Sequence, residues 1–215
     1  MGLFISFEGT DGCGKSTQMM LLKERLTGLG YRVMSTREPG GTPIGEKIRA
    51  ILLDKENVGM EALTEAYLYA ASRTLTVRQV LRPGLADYDF VLVDRYVDSS
   101  LAYQGQARGI GIDAVYAINA PAIDGLFPDI TFLLDALPIE LMERSAGDPD
   151  RIEGEGEALQ ERAREGYHIL AERYKDRYVI LDALQERQAL TEEMLCEVLS
   201  RVRGDLSEGR KYKNE

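Results

Sequence analysis

Cysteine and histidine are scarce in this chain, and positive charge falls short of negative. Two cysteines far apart, Cys13 and Cys196, frame no disulfide scaffold, and the single histidine leaves too few soft ligands for a zinc site. With 26 lysines and arginines against 36 acidic residues, the formal net charge is -10. That balance argues against a nucleic-acid backbone as partner, because such binding needs clustered positive charge. Small nucleotides remain in reach, since a few local arginines bind phosphate even in an acidic protein. No apolar run approaches the roughly 18 residues of a membrane span, and the opening residues meet Glu8 before any signal-peptide pattern develops. The expectation is a cytoplasmic globular protein, with one α/β domain over 1–203 and a disordered tail over 204–215.

Against these absences stands one strong motif. Gly9 to Ser16 reads Gly-Thr-Asp-Gly-Cys-Gly-Lys-Ser and fits the G-x-x-x-x-G-K-[ST] phosphate-binding loop. Leu3 to Glu8 before it is a short apolar run, and Thr17 to Leu29 after it carries apolar residues at helical spacing. Strand, loop and helix in that order separate a working loop from a chance match. The glycines let backbone N–H groups converge on phosphate oxygens at the positive end of the helix. Lys15 adds a charge at the transferred phosphate, and the Ser16 hydroxyl is an oxygen ligand of the kind Mg2+ takes. A thiol at a helix N-terminus tends to ionise, so Cys13 is expected to be alkylated unless ATP protects it.

Further along, Tyr31 to Thr36 reads as a strand running into Arg37-Glu38-Pro39-Gly40-Gly41, and Thr42-Pro43 opens a helix to about Leu53. Met60 to Ala86 is helical, with a break expected around Ser72 to Thr76. Tyr69 and Arg73 share one face of it; the pair suits a stacked base, and equally a core tyrosine beside a solvated arginine. Asp89 to Val93 is a buried strand ending in Asp94-Arg95-Tyr96, a pattern similar to the Mg2+-holding aspartate of phosphate-loop enzymes. A capping aspartate beside a surface arginine is the alternative. Ser99 to Gly105 has polar groups able to read a base or sugar, or else is a helix end with a glycine cap.

Ile130 to Leu134 is another strand, and Pro138 opens a helix to about Arg144. The polar, glycine-rich stretch 145–156 fits a lid loop or a plain surface loop. A helix over 155–173, a strand over 178–181 and a helix over 189–202 close the pattern. His168 and Cys196 are expected to be structural, Cys196 as a core residue. Strands alternating with helices specify a P-loop NTPase three-layer sandwich, with about five parallel strands and helices on both faces. A P-loop switch ATPase is the contrasting reading, but no Asn-Lys-x-Asp guanine motif occurs and Thr10 stands where a partition ATPase needs lysine.

Gly9 to Thr17, Arg37 to Gly41, Tyr69 to Arg73, Asp94 to Tyr96, Ala102 to Gly105 and Asp150 to Glu153 together resemble the thymidylate kinases in content and order. The resemblance implies Mg2+-dependent phosphoryl transfer from ATP to dTMP, a step of dTTP synthesis, in a homodimer without nucleic-acid or membrane partners. Another deoxynucleotide or deoxynucleoside kinase of the same fold is the nearest alternative. It further implies that Gly9, Thr10, Asp11, Gly12, Cys13, Gly14, Lys15, Ser16, Thr17 and Arg144 bind ATP, and that Ser16 and Asp94 hold the metal. For the acceptor it implies Asp11, Glu38, Pro39, Tyr69, Arg73, Arg95, Ser99, Tyr103 and Gln104. Arg73 and Arg95 would hold the dTMP phosphate, Tyr69 would stack on thymine, Gln104 would read the base edge, and Tyr103 would crowd the 2′ position. Lys15, Glu38, Asp94, Arg95 and a lid arginine, Arg151, are the implied catalytic set. Two features depart from many relatives: Tyr69 stands for phenylalanine, and the lid has fewer arginines.

Overall fold

The computed structural model describes residues 2–141 and 150–207. Five strands form one parallel sheet: β1 (Leu3–Glu8), β2 (Val33–Arg37), β3 (Phe90–Asp94), β4 (Ile130–Asp135) and β5 (Tyr178–Asp182), in the order β2-β3-β1-β4-β5. The central strands are buried on both faces, which is why they read as continuous apolar runs. Alternation along β1 divides the core: Phe4 joins one cluster, while Leu3, Ile5 and Phe7 join the other.

The lower cluster is sealed by α1 (Lys15–Gly28) and α9 (Arg187–Ser207), through Leu22, Leu26, Met194 and Val198. The opposite face is covered by α3 (Ala62–Thr76), α4 (Arg82–Asp87), α6 (Ile112–Ile123) and α8 (Glu157–Arg173). Each fully buried leucine or phenylalanine contributes about 1.5–3 kcal/mol of transfer free energy. Shorter helices α2 (Pro43–Leu53), α5 (Val97–Ser100) and α7 (Pro138–Leu141) complete the set. Thr42 caps α2 by accepting from the Gly45 N–H at 3.0 Å, with Pro43 in the first turn, as the sequence pattern indicated.

Several elements differ from the sequence reading. The expected break near Ser72 to Thr76 is absent; instead α3 runs into a π-helical turn, Val77–Leu81, before α4. Pro83 supplies no N–H and its ring crowds the preceding carbonyls, so a widened register accommodates it without ending the helix. Gly105 is not a cap but lies within a second π-helical segment, Leu101–Ala107, where a Cβ would sit 3.0 Å from the Ile112 backbone. Helix α6 was not anticipated. The last helix continues to Ser207, past the residue at which a tail was expected to begin, while 208–215 lie outside the described residues. Cys196 is exposed, because Met194, Leu195 and Val198 take the core-facing positions of α9. Of the anticipated lid, 145–149 lie outside the described residues, and Glu153–Glu155 forms a 3-10 turn leading into α8. No described helix is long and apolar enough to cross a membrane.

Candidate active site

The carboxyl ends of β1, β2 and β3 open on a cavity of about 450 Å3, where open α/β sheets bind ligands. Its floor is the loop between β1 and α1. Gly9 leaves the strand at a φ of 137°, and a Cβ there would lie 2.4 Å from the Leu134 carbonyl oxygen, so no other residue fits. Gly14, with a φ of 93°, is the left-handed N-cap of α1. Asp11, Gly12, Gly14, Lys15 and Ser16 line the cavity, whereas Gly9, Thr10 and Cys13 of the loop and the exposed Thr17 of α1 do not. Lys15 is buried and its ammonium donates to the Gly9 and Thr10 carbonyls at 3.2 and 2.7 Å, and to the Cys13 Sγ at 3.5 Å.

That placement corrects the expectation for Cys13. Its side chain is 2% exposed and packs in the lower core cluster, so the thiol is shielded from alkylating reagents by the loop itself. Its place at a helix N-terminus is a local feature of the motif, whereas its burial depends on the packing of the loop against the core.

Ser16 and Asp94, 78 residues apart, are brought together: the Ser16 hydroxyl donates to Asp94 Oδ2. A hydroxyl beside a carboxylate at the phosphate loop is a hard-oxygen donor set suited to Mg2+. Glu38, which also lines the cavity, has a buried Oε1 with no hydrogen-bond partner among the described residues. An unpartnered buried acceptor at this point fits a metal-bound water or another donor.

Arg95 sits at the junction of loop and cavity wall in a left-handed conformation, φ 65°, unusual for a non-glycine residue and typical of functional positions. Its Nη1 donates to the Gly9 carbonyl (3.1 Å), Ser99 Oγ (3.2 Å) and Tyr167 OH (3.2 Å), and its Nη2 to Asp11. Asp11 also accepts from Gln160 at 2.9 Å and from the Tyr103 hydroxyl at 3.3 Å. Burial opposes ionisation of Asp11, but the charges of Arg95 and Lys15 outweigh it and hold the carboxyl below its ordinary value. Beneath Arg95 lies Glu8, fully buried, accepting from Ser99 at 2.6 Å, Tyr167 at 3.1 Å and the Tyr96 N–H at 2.8 Å. Burial, reinforced by Asp98, pushes Glu8 up to about 7.

Glu38, Pro39, Tyr69, Arg73, Ser99, Tyr103 and Gln104, the residues that the resemblance assigns to the acceptor, line the same cavity. Arg73, however, is 1% exposed and committed within the protein: Nε to Glu38 Oε2 (2.7 Å), Nη1 to Ser100 (3.0 Å) and Asn119, Nη2 to the Tyr96 carbonyl (3.1 Å). Arg37 pairs with Glu46, not with neighbouring Glu38. Arg151 is the clearest departure. Its guanidinium does not reach the phosphate loop; Nη2 pairs with buried Glu65 at 2.6 Å and Nε donates to the Leu52 carbonyl at 2.7 Å. A buried carboxylate needs cations around it, and Glu65 draws Arg151 toward α2 and α3. Arg144 lies outside the described residues.

Sequence reasoning missed Arg49 in the wall, gave Ser100 and Asp150 no role of their own within the stretches it singled out, and missed Glu8, Glu65, Asn119, Gln160 and Tyr167 behind the wall. Only Glu8, placed directly before the loop, had a local signal. His168 is held by Asp135 at 3.1 Å, which also pairs with Arg164, consistent with a structural role.

The family model described as thymidylate kinase matches residues 7–194. A thymidylate kinase of Caldanaerobacter subterraneus is 48% identical over 86% of this chain and 89% of its own length. One from Halothermothrix orenii is 45% identical, covering 95% of this chain and 98% of that protein. Among solved structures, the thymidylate kinase of Ehrlichia chaffeensis superposes with a TM-score of 0.75 at 31% identity, over 93% of this chain and 98% of that one.

Proposed function

The chain belongs to the thymidylate kinase family, and from that premise we propose how its residues divide the transfer of the ATP γ-phosphoryl group to dTMP, giving dTDP and ADP. The observation that supports this division is the meeting of Lys15, Ser16, Asp94 and Arg95 with Tyr69 and Gln104 around one cavity. One group suits the donor phosphates and the other a nucleoside acceptor.

The loop N–H groups and Lys15 hold the triphosphate, and Ser16 and Asp94 hold Mg2+ with it. Bound there, the ion would supply neutralisation of the charge on the transferred group. The nucleophile is an oxygen of the acceptor phosphate, ionised near neutral pH, so no general base is needed. As its bond to the γ-phosphorus forms, the bond from that phosphorus to the β–γ bridging oxygen breaks, and charge shifts onto ADP. The remaining demand is to align two polyanions and stabilise the group in flight.

Arg95 is placed for that task. It contacts the loop through the Gly9 carbonyl and faces the acceptor side through Ser99, so one guanidinium spans both halves. Asp11 fixes its orientation directly, and Glu8 does so through Ser99 and Tyr167. Glu38 and Pro39 position the acceptor, Tyr69 stacks on the base and Tyr103 bounds the sugar. Arg73 acts through Glu38, which it holds in place.

A panel of acceptors tests the assignment. With ATP and Mg2+, dTMP is expected to be phosphorylated in preference to dUMP, dCMP, AMP and thymidine. Activity confined to thymidine, or a preference for another monophosphate, overturns it. The order of assembly in solution is open to the same preparation: sedimentation is expected to show a dimer, as proposed from the family resemblance.

A further inference from the structure

Glu65 of α3 is a fully buried carboxylate that receives four N–H donors. Gln104 Nε2 and Arg108 Nε reach its Oε1 at 2.8 and 3.1 Å; Arg108 Nη2 and Arg151 Nη2 reach its Oε2 at 2.9 and 2.6 Å. Burial works against the charge, but the bonds and charge of Arg108, with those from Arg151 and Gln104, hold Glu65 below the ordinary carboxylate value. An ionised carboxylate offers lone pairs only.

That chemistry decides which way round the Gln104 amide lies. A flipped amide would set its carbonyl oxygen against the Glu65 oxygen 2.8 Å away, two acceptors in contact in a buried site. Gln104, 2% exposed, therefore turns its NH2 to Glu65 and leaves Oε1 as the end available to the cavity it lines. We propose that Glu65 is a specificity-positioning residue, which locks Gln104 as an acceptor toward the base and so selects pyrimidines carrying N3–H over those with a bare N3. The inference rests on the reading that Gln104 faces the base. Thymine and uracil present an N–H at ring position 3, whereas cytosine presents a lone pair there. Facing Gln104 Oε1, that lone pair leaves two buried acceptors unpaired, a large penalty in a site built to receive a hydrogen bond.

Glu65→Gln tests it. An amide at position 65 can donate as well as accept, which frees Gln104 to turn. The ratio of kcat/KM for dTMP over dCMP is expected to fall by about tenfold or more, mainly through KM. The ratio for dTMP over dUMP should stay within about twofold, because both bases carry N3–H; general damage to the pocket would move both ratios. Glu65→Asp keeps the charge that Arg108 and Arg151 require but shortens the reach to Gln104, and is expected to act in the same direction. Gln104→Met separates the two layers of the reading. If it erases the preference against dCMP while both Glu65 variants keep it, the positioning role fails and the base-reading role stands. If Gln104→Met leaves the preference intact, both fail. Should the Glu65 variants not fold, hydrogen exchange of the Gln104 side-chain amide in the wild-type enzyme decides: slow exchange is expected, and exchange as fast as that of an exposed glutamine overturns the proposal.

Discussion

Arg73 Nε lies 2.7 Å from Glu38 Oε2, with the two side chains 1% and 2% exposed. Glu38 follows β2 and lines the cavity, so this buried pair ties the cavity wall to α3. The other donors of Arg73 satisfy Ser100, Asn119 and the Tyr96 carbonyl, and truncation would strand four partners at once. Arg73→Ala is expected to cost about 3–5 kcal/mol, the range for removing one member of a buried ion pair. Denaturant unfolding measures it. A loss below about 1 kcal/mol, the size of a surface pair, would show that Arg73 is not the anchor inferred here.

Glu38 and Glu8 give stability a particular pH dependence. Burial raises Glu38 to about 7 against the opposing pull of Arg73, and burial with Asp98 raises Glu8 to about 7, both from 4.5. Between about pH 4.5 and about pH 7 the folded chain therefore keeps protons that the unfolded chain has released. Their contribution is full below 4.5 and is lost as pH rises through about 7. Glu38→Gln removes one of these two groups, so the variant should gain on the wild type as pH increases across that window. Urea midpoints at the two ends of the window check this; an unchanging gap would count against it.

The hydrogen bond from Ser16 to Asp94 joins the loop to the end of β3, and both oxygens are hard donors. Asp94→Asn keeps the shape and removes the charge. It is expected to raise the Mg2+ concentration for half-maximal activity by roughly 10–100-fold while leaving the dTMP KM nearly unchanged. Ser16→Ala should act in the same direction. Titration of activity with Mg2+ at saturating nucleotides measures the shift, and an unaltered Mg2+ curve in both variants would remove these residues from the metal site.

The sheet and loop were legible because their signals are local. Phe90 to Val93 is an apolar run that ends in a charge, and Gly9 to Ser16 is a fixed spacing. Helix α6 was not, since Gly109 and Gly111 precede it and Pro121 lies inside it, masking the spacing of Val115 and Ile123. Cys196 had core composition, but the phase of α9 is set by Met194 and Val198. The site divides in the same way. Most of the cavity lining lies in the motifs, Arg49 and Leu53 excepted, whereas what each arginine touches depends on pairs such as Glu65 and Arg151, 86 residues apart, with no local pattern to announce them.

Arg151 provides the sharpest test of that difference. The family resemblance implies that a lid arginine serves the transferred phosphoryl group, and such a residue is worth about a thousandfold or more in turnover. The structure instead commits Arg151 to Glu65, to Glu155 at 3.8 Å and to the Leu52 carbonyl, with its backbone N–H donating to the Leu53 carbonyl at 3.2 Å. These contacts tie it to α2 and α3, on the side of the cavity proposed to take the acceptor. Arg151→Ala should thus act on the acceptor: a higher KM for dTMP, with kcat lowered by no more than about tenfold and the ATP KM little changed. Arg151→Lys should rescue only part of the KM, because one ammonium cannot donate to Glu65 and Leu52 in the guanidinium's forked geometry. Single-turnover kinetics at saturating dTMP separates the chemical step from acceptor binding. A thousandfold drop in that step with dTMP affinity intact would return Arg151 to the phosphoryl group and show that its bond to Glu65 is given up during turnover.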